Sequence, residues 1–125
     1  MLEPAKLKVL REKFKEVARE NNLDGMILAD SEGLPLVSYL QEGIDEDAIA
    51  AAGAAIFTAG LMTVSDVGKK GLDQVVLHSP DGYVIYTQLS EDYVLGLISP
   101  SDAKLGILKM AIKKVADEIK KLETS

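Results

Sequence analysis

An uncharged stretch of eighteen residues, 48–65, constrains the fold of this 125-residue chain more than any other feature. Acidic residues precede it at 45–47, and Asp66 follows it. Its length reaches the lower limit for a membrane-spanning helix. Half of it is alanine or glycine, however, and its large apolar residues keep to one side of a helix. We therefore interpret it as part of a long helix in a globular protein, running from the acidic cluster to about Lys70, and expect no membrane insertion.

The two faces of this predicted helix differ in side-chain size. The stripe expected to pack on a sheet is Ile49, Gly53, Ile56, Gly60, Val64 and Val67, widened by Phe57 and Leu61. The opposite face is small and nearly uncharged, and it consists of Ala48, Ala51, Ala52, Ala55, Thr58, Ala59, Met62, Ser65 and Asp66. A solvated helix face normally carries charged residues. We expect this face to contact another protein, most simply the same helix of a second copy of the chain. The alternative is that alanine serves only helix propensity.

The remaining sequence predicts two more helices and five strands, in the order αββαβββα. The predicted ranges are a helix over 4–21, strands over 26–29, 34–40, 72–78, 83–89 and 93–98, and a last helix capped by 99–102 with an apolar seam from Leu105 to Leu122. Short links between strands require antiparallel pairing. The strands 26–29 and 93–98 are apolar throughout, which predicts central positions with helices on both faces. Pro35 lacks an amide hydrogen and predicts an edge strand. The predicted fold class is therefore an α/β sandwich around a five-stranded antiparallel sheet, with the long helix on one face and the terminal helices on the other.

The strand over 72–78 provides a second candidate interface. If it lies at the other sheet edge, its free backbone groups can pair with the same strand of a partner. Its candidate residues are Gln74, Val75, Val76, Leu77 and His78. We interpret His78, the only histidine, as a structural or surface residue, with a pH-sensitive role at the seam as the alternative.

The sequence does not contain the usual patterns of catalysis or cofactor binding. There is no cysteine, which excludes thiol nucleophiles, disulfides and thiolate zinc sites. No glycine-rich phosphate loop is present. The acidic cluster 45–47 is explained by helix capping without a metal. We therefore expect a non-catalytic protein without cofactor or metal.

Charge and the N-terminal sequence narrow the partners and the compartment. Residues 22–100 carry twelve acidic side chains and only Lys69 and Lys70 as basic ones. The simplest interpretation is that these acidic residues lie in solvated turns and helix caps and have no role in binding. An acidic middle is unfavourable for binding nucleic acid. The first residues lack the charged-then-apolar layout of a signal peptide, so we expect a cytoplasmic protein.

The element order and three segments together resemble the roadblock family of dynein-light-chain-like domains. The segments are Leu23–Ser38 (LDGMILADSEGLPLVS), Ser79–Ile85 (SPDGYVI) and Tyr93–Ile98 (YVLGLI), together with the Ala/Gly-rich long helix. The resemblance runs from about Lys6 to Leu122. It implies one domain over 1–125 with a profilin-like sheet.

The same resemblance implies homodimers or heterodimers joined through the long helix and the third strand, and docking of a small Ras-like GTPase on the paired helices. In bacterial motility members of the family the dimer accelerates GTP hydrolysis by its partner, whereas other members scaffold or act as exchange factors. The only arginines, Arg11 and Arg19, fall in the first helix. We therefore do not expect the paired helices to supply an arginine finger.

Two other functions stay open at this level. One is a small-molecule sensor of profilin-like fold, which needs an apolar pocket with converging polar groups. The strands offer few polar residues that point inward, which weighs against a sensor. The other is a purely structural dimer within a larger complex.

Overall fold

The strands pair into one antiparallel sheet in the order β2-β1-β5-β4-β3. The computed structural model describes residues 2–125. Its elements are α1 Pro4–Glu20, β1 Gly25–Asp30, β2 Pro35–Leu40, α2 Glu46–Asp66, β3 Gln74–Ser79, β4 Gly82–Gln88, β5 Tyr93–Pro100 and α3 Leu105–Thr124. The predicted fold class and element order are confirmed.

The positions of the strands follow from their composition. The apolar strands β1 and β5 are neighbours at the centre, with Gly25 opposite Ile98 and Asp30 opposite Tyr93. Strand β2, which begins at Pro35, lies at one edge, and β3 lies at the other. The position of β2 agrees with the prediction from Pro35, and the position of β3 meets the condition stated for pairing with a partner strand.

Helices α1 and α3 cover one face of the sheet. They run antiparallel, because Lys6 Nζ near the start of α1 donates to the carbonyl of Ser125, and Lys114 of α3 pairs with Glu20 at the end of α1. Their buried seams meet alternate residues of the central strands. This core contains Leu10, Phe14, Val17, Leu108, Ile112, Val115 and Ile119 from the helices and Met26, Leu28, Ile85, Leu95 and Leu97 from the sheet.

Helix α2 covers the other face alone. It crosses the sheet from β2, where Ser38 Oγ donates to Glu46 Oε2 at 2.7 Å, to β3, where Gly60 packs against Leu72 and Val75. Only Ala50, Gly53 and Phe57 of this helix are buried. Two small clusters around Ile27 and Phe57 form the core on this side.

The long helix ends at Asp66 rather than near Lys70, so this prediction was about one turn too long. Gly68 adopts a left-handed conformation (φ +80°), and its amide and that of Lys69 bond back to the last turn of α2. This arrangement is a usual helix terminator. Gly71, which follows the predicted end at Lys70, also has a positive φ (+78°) but lies beyond the observed end of the helix.

The predicted cap of α3 at residues 99–102 was wrong. Ser99 and Pro100 continue β5, opposite Tyr83 and Gly82. The Ser99 hydroxyl accepts from the Tyr83 amide at 3.2 Å, so it serves the sheet instead of a helix. The helix begins at Leu105, and its cap residue contributes no side-chain hydrogen bond.

Candidate functional site

The first half of α2 is fixed firmly to the sheet. The Asp45 carboxylate accepts from the backbone amides of Asp47 and Ala48, which caps the helix as predicted. Tyr86 of β4 donates its hydroxyl to the Ile49 carbonyl at 2.9 Å. A Cβ atom on Gly53 would lie 2.8 Å from Cε1 of the Tyr86 ring, so only glycine lets the helix approach this closely. Burial raises the pKa of Tyr86 above its ordinary value.

The second half of α2 is nearly uncovered. From Leu61 onward no residue of the helix is buried, and only Val64 is half-buried. Leu61 and Met62 are 44% and 64% exposed, and Val67 just after the helix is 67% exposed. These apolar side chains project beyond the last contacts with β3. They form a surface that the fold itself does not cover.

This result corrects the assignment of the helix stripe. Leu61 and Val67 were expected to pack on the sheet, but both are exposed. Phe57 and Gly53 are buried as predicted, and Ile49, Ile56, Gly60 and Val64 are half-buried. Ala50, which the helical wheel did not assign to the stripe, is also buried.

The predicted partner face of α2 points away from the sheet. Ala52 is half-buried, and the other members are exposed: Ala48, Ala51, Ala55, Thr58, Ala59, Met62, Ser65 and Asp66. The Thr58 hydroxyl donates to the Ala54 carbonyl one turn earlier, so it is satisfied within the helix. No side chain between Ala48 and Ser65 carries a charge.

The β3 residues divide between the two faces of the sheet. Val75 packs with the Phe57 cluster on the α2 side, and Leu77 follows on the same side because strand side chains alternate. Gln74, Val76 and His78 lie on the other side. The Gln74 amide donates to Thr87 Oγ1, which ties the strand to β4.

His78 is exposed and belongs to a cross-strand aromatic pair. It faces Tyr83 in the β3–β4 register. The two rings stack with centroids 4.6 Å apart. His78 is thus a surface residue whose ring packs on a neighbouring tyrosine.

The structure adds Leu34 to the exposed apolar surface, a residue that the sequence analysis did not select. Leu34 is 59% exposed in the turn between β1 and β2. The preceding Gly33 has a φ of +91° and packs closely against Ala50, Ala51 and Ala54 of α2. In the sequence, the feature that could have pointed to Leu34 is its position directly after Gly33, a turn glycine. We call the exposed α2 residues, Leu61, Val67, Leu34 and the two β3 residues on the same side, Val75 and Leu77, together the α2 surface; the other β3 candidates lie on the opposite face of the same edge strand.

The described part of the chain has few side chains arranged for catalysis or metal binding. Within residues 2–125 no three His, Cys, Asp or Glu side chains are arranged to hold a metal ion. Both arginines lie on α1, across the sheet from the α2 surface, and Arg11 sits 5.6 Å above the Tyr39 ring. Five surface cavities of about 280–460 Å³ are present, and none of these five opens between α2 and the central strands.

Helix α2 is the one helix among residues 2–125 that is long and apolar enough to cross a membrane. Its length and composition alone meet that criterion. In the fold it packs on the sheet through Ala50, Gly53 and Phe57.

Comparison with known proteins identifies the family. The model of the Roadblock/LC7 domain matches residues 10–99, well over half of the chain. The chain therefore belongs to the Roadblock/LC7 domain family, as the sequence resemblance indicated. Among relatives, the uncharacterized protein MJ0714 of Methanocaldococcus jannaschii is 27% identical over 105 residues, covering 84% of this chain and 88% of the relative.

Solved structures agree with this assignment. MglB of Myxococcus xanthus matches with a TM-score of 0.84 at 20% identity, covering 93% of this chain and 95% of that protein. The gliding protein MglB of Thermus thermophilus matches with a TM-score of 0.85 at 19% identity, covering 100% and 96%. Profilin IB of Acanthamoeba castellanii matches with a TM-score of 0.60 at 13% identity, covering 88% and 95%. The fold is thus that of roadblock domains and is profilin-like.

Proposed function

We propose that this chain is a non-catalytic adaptor that dimerises through α2 and β3 and docks a small Ras-like GTPase on the paired α2 helices. The proposal treats residues 1–125 as one cytoplasmic roadblock domain without cofactor. Membership of the Roadblock/LC7 family supports it, since the resemblance implies this partner class. The tetrameric arrangement of MglB, a protein of similar structure, supports self-association of this chain.

The observation that carries the proposal is the uncovered second half of α2. Leu61, Met62 and Val67 place large apolar side chains in solvent next to an uncharged helix face. Contiguous exposed apolar surface of this kind marks interaction sites in soluble proteins. Small residues on the first half, such as Ala51 and Ala55, leave room for a second backbone to approach.

A dimer would use the two parts of the α2 surface differently. The free edge of β3 offers backbone groups that can extend the sheet into a second copy, with Val76 and Leu77 on its two faces. The twofold arrangement then brings the two α2 helices side by side. We assign the exposed α2 residues both to the helix–helix contact within the dimer and to the platform for the GTPase, and the β3 residues to the seam where the two sheets join.

An effect on GTP hydrolysis would come from positioning the GTPase's own residues. Arg11 and Arg19 lie on α1, on the opposite side of the sheet. The paired α2 helices therefore offer no arginine to stabilise charge on a transferred phosphate.

Charge introduced into the α2 surface tests the dimer. In sedimentation at micromolar concentration we expect the wild-type protein to be dimeric, and Ala55→Lys and Ala59→Lys to be monomeric. The matched control is Ala5→Lys, an exposed alanine of α1, which should stay dimeric. A monomeric wild type would remove the argument from α2, and dimeric lysine variants would favour the propensity explanation for its alanines.

Recovery of a GTPase tests the partner. Immobilised wild-type protein is incubated with lysate of the source cells, loaded with either GDP or a non-hydrolysable GTP analogue. We expect a small GTPase to be retained with preference for one nucleotide, and to be lost on Ala59→Lys but kept on Ala5→Lys. Retention of a small metabolite in place of a GTPase would instead support the sensor function.

A further inference from the structure

The first half of α3 and the two residues before it are positively charged in a protein that is acidic overall. Residues 103–116 contain four lysines and no acidic residue, whereas the whole chain has a formal net charge of −6. Lys114 pairs with Glu20 at 3.1 Å. Lys109 and Lys113 are exposed and make no ion pair in the described part of the chain. Their charges are therefore available to a partner.

Two large apolar side chains lie among these lysines. Ile107 is 48% exposed and Met110 is 72% exposed, one turn apart on the outer side of α3. The fold does not need them, because α3 packs on the sheet through a separate seam that includes Leu108 and Val115. Neighbouring exposed apolar side chains bordered by charged residues are typical of a contact surface.

A cavity of about 350 Å³ adjoins Ile107 where α1 ends and α3 begins. Its apolar lining comes from Pro100, Ala103, Ile107 and Leu108, and its polar lining comes from Glu20, Asn21, Asn22, Asp102 and Lys104. Its volume can accept a large apolar side chain. We call this cavity, with Ile107, Met110 and the lysines 104, 109 and 113, the α3 surface.

We propose that the α3 surface binds an acidic amphipathic segment of a partner protein. An apolar side chain of that segment occupies the cavity beside Ile107, and a second apolar side chain covers Met110. Its carboxylates pair with Lys109 and Lys113. Charge complementarity defines the partner's chemistry, and the i, i+3 spacing of Ile107 and Met110 fits a segment with apolar residues at helical spacing.

The geometry favours a protein segment over an anionic membrane. A bilayer surface is flat and cannot fill a concave cavity. Glu20 and Asp102 are among the residues that line the cavity, and Asp117 follows one turn beyond Lys113, so a uniformly anionic surface would meet negative charge on both sides. A discrete segment avoids these acids by placing its carboxylates only over the lysines.

The α3 surface is independent of the proposed GTPase site. It lies on the opposite face of the sheet from α2, so both can be occupied at once. Methionines give each region its own reporter, because Met110 is on the α3 surface, Met62 is on the α2 surface and Met26 is in the core. The experiments can therefore refute the α3 proposal without refuting the proposed function of the α2 surface, and the reverse.

The test uses the full chain labelled with ¹³C at the methionine methyl groups. The probe is a synthetic peptide of about four helical turns with leucine on one face and glutamate elsewhere. A scrambled peptide of the same composition is the peptide control. We expect the first peptide to shift the Met110 signal and leave those of Met26 and Met62 in place. If the chemical shift of Met110 does not change at millimolar peptide, the proposal is overturned. An equal shift with the scrambled peptide overturns it as well.

Matched charge reversals give the second arm. Lys109→Glu with Lys113→Glu should weaken binding of the amphipathic peptide by about tenfold, since two exposed ion pairs are lost. Lys120→Glu with Lys121→Glu changes the same charge on the same helix, outside the surface, and should change affinity less than about twofold. Equal weakening in both variants would mean that net charge alone attracts the peptide, and would overturn the proposal.

Vesicles of phosphatidylcholine and phosphatidylglycerol decide the membrane alternative. We expect them to leave the Met110 signal unchanged. A Met110 shift on these vesicles that Lys109→Glu with Lys113→Glu abolishes would replace the protein segment with a membrane as the occupant.

Discussion

The two faces of the sheet are covered in different ways. On one face, α1 and α3 bury regular apolar seams, and Phe14, Val17 and Val115 are fully inaccessible to solvent. On the other face, a single helix buries only three residues and leaves its last two turns in solvent. The sheet is the same, but the first face supplies the larger core.

The difference lies in where charge is placed. Helices α1 and α3 carry lysine, arginine and glutamate on their outer faces, as solvated helices do. Helix α2 carries none between Ala48 and Ser65. An outer face without charge is not adapted to water, and we therefore propose that the α1/α3 side supplies most of the stability and that the outer face of α2 makes the dimer and GTPase contacts. The predictions below test that division.

The largest expected effect is the loss of a ring from the α1/α3 core. Phe14→Ala should lower the free energy of unfolding by about 3–5 kcal/mol, since a fully buried ring is replaced by a cavity. Urea unfolding followed by circular dichroism measures this loss.

Phe57→Ala is the comparison on the α2 side. Phe57 is also buried but belongs to a smaller cluster whose surroundings can relax, so its loss should fall at about 3 kcal/mol or below. If Phe57→Ala costs more than Phe14→Ala, the α2 side is the main source of stability and the division is wrong.

A smaller effect is expected where α2 meets the sheet. Gly53→Ala places a methyl group against the Tyr86 ring and should cost about 1–3 kcal/mol through overpacking. Gly106→Ala in α3 is the matched control, because a Cβ there meets nothing within 4 Å. That change should stabilise the protein by about 0.5–1 kcal/mol, since glycine is a poor helix former. If both substitutions changed the free energy of unfolding in the same direction, the close approach of α2 to Tyr86 at Gly53 would be contradicted.

The pH dependence of stability tests Tyr86 itself. Burial favours the neutral phenol and raises the pKa of Tyr86 in the folded protein above its unfolded value of 10.0. The resulting stabilisation is fully present below pH 10 and is lost as pH rises through the folded pKa. Tyr86→Phe should cost about 1 kcal/mol near neutral pH, because the hydrogen bond to Ile49 is lost.

Urea midpoints of wild type and Tyr86→Phe, measured from about pH 8 to pH 11, check the sign. We expect the two curves to converge above pH 10, since only the wild type can lose stability by ionising this group. Parallel curves would show that the hydroxyl is not buried against α2.

Much of this arrangement could be predicted from local chemistry. Pro35 fixed an edge by lacking an amide hydrogen, and the apolar strands β1 and β5 required cover on both faces. The uncharged face of α2 was visible on a helical wheel. These features depend on single residues or on periodicity, which the sequence contains directly.

What failed depended on tertiary context. Gly68 and Gly71 both suit a helix terminus, and only the folded chain shows that Gly68 ends α2. Leu61 and Val67 fit the buried stripe by periodicity, but a wheel does not say where the sheet beneath it stops. Ser99 suits a helix cap as well as a strand, and pairing with Tyr83 decided between them. The dimer and partner residues remain predictions.

The smallest effect on the fold should come from Met62, yet it tests the recognition side most directly. Met62→Ser removes an exposed side chain, so the stability of the monomer should change by less than about 0.5 kcal/mol. If α2 mediates self-association, the wild-type unfolding midpoint rises with protein concentration, since a dimer is stabilised by mass action. Met62→Ser should flatten that dependence. The control is Met110→Ser, which changes a similarly exposed methionine on α3 and should preserve the concentration dependence. A wild-type unfolding midpoint that does not change with protein concentration would contradict dimerisation through the α2 surface.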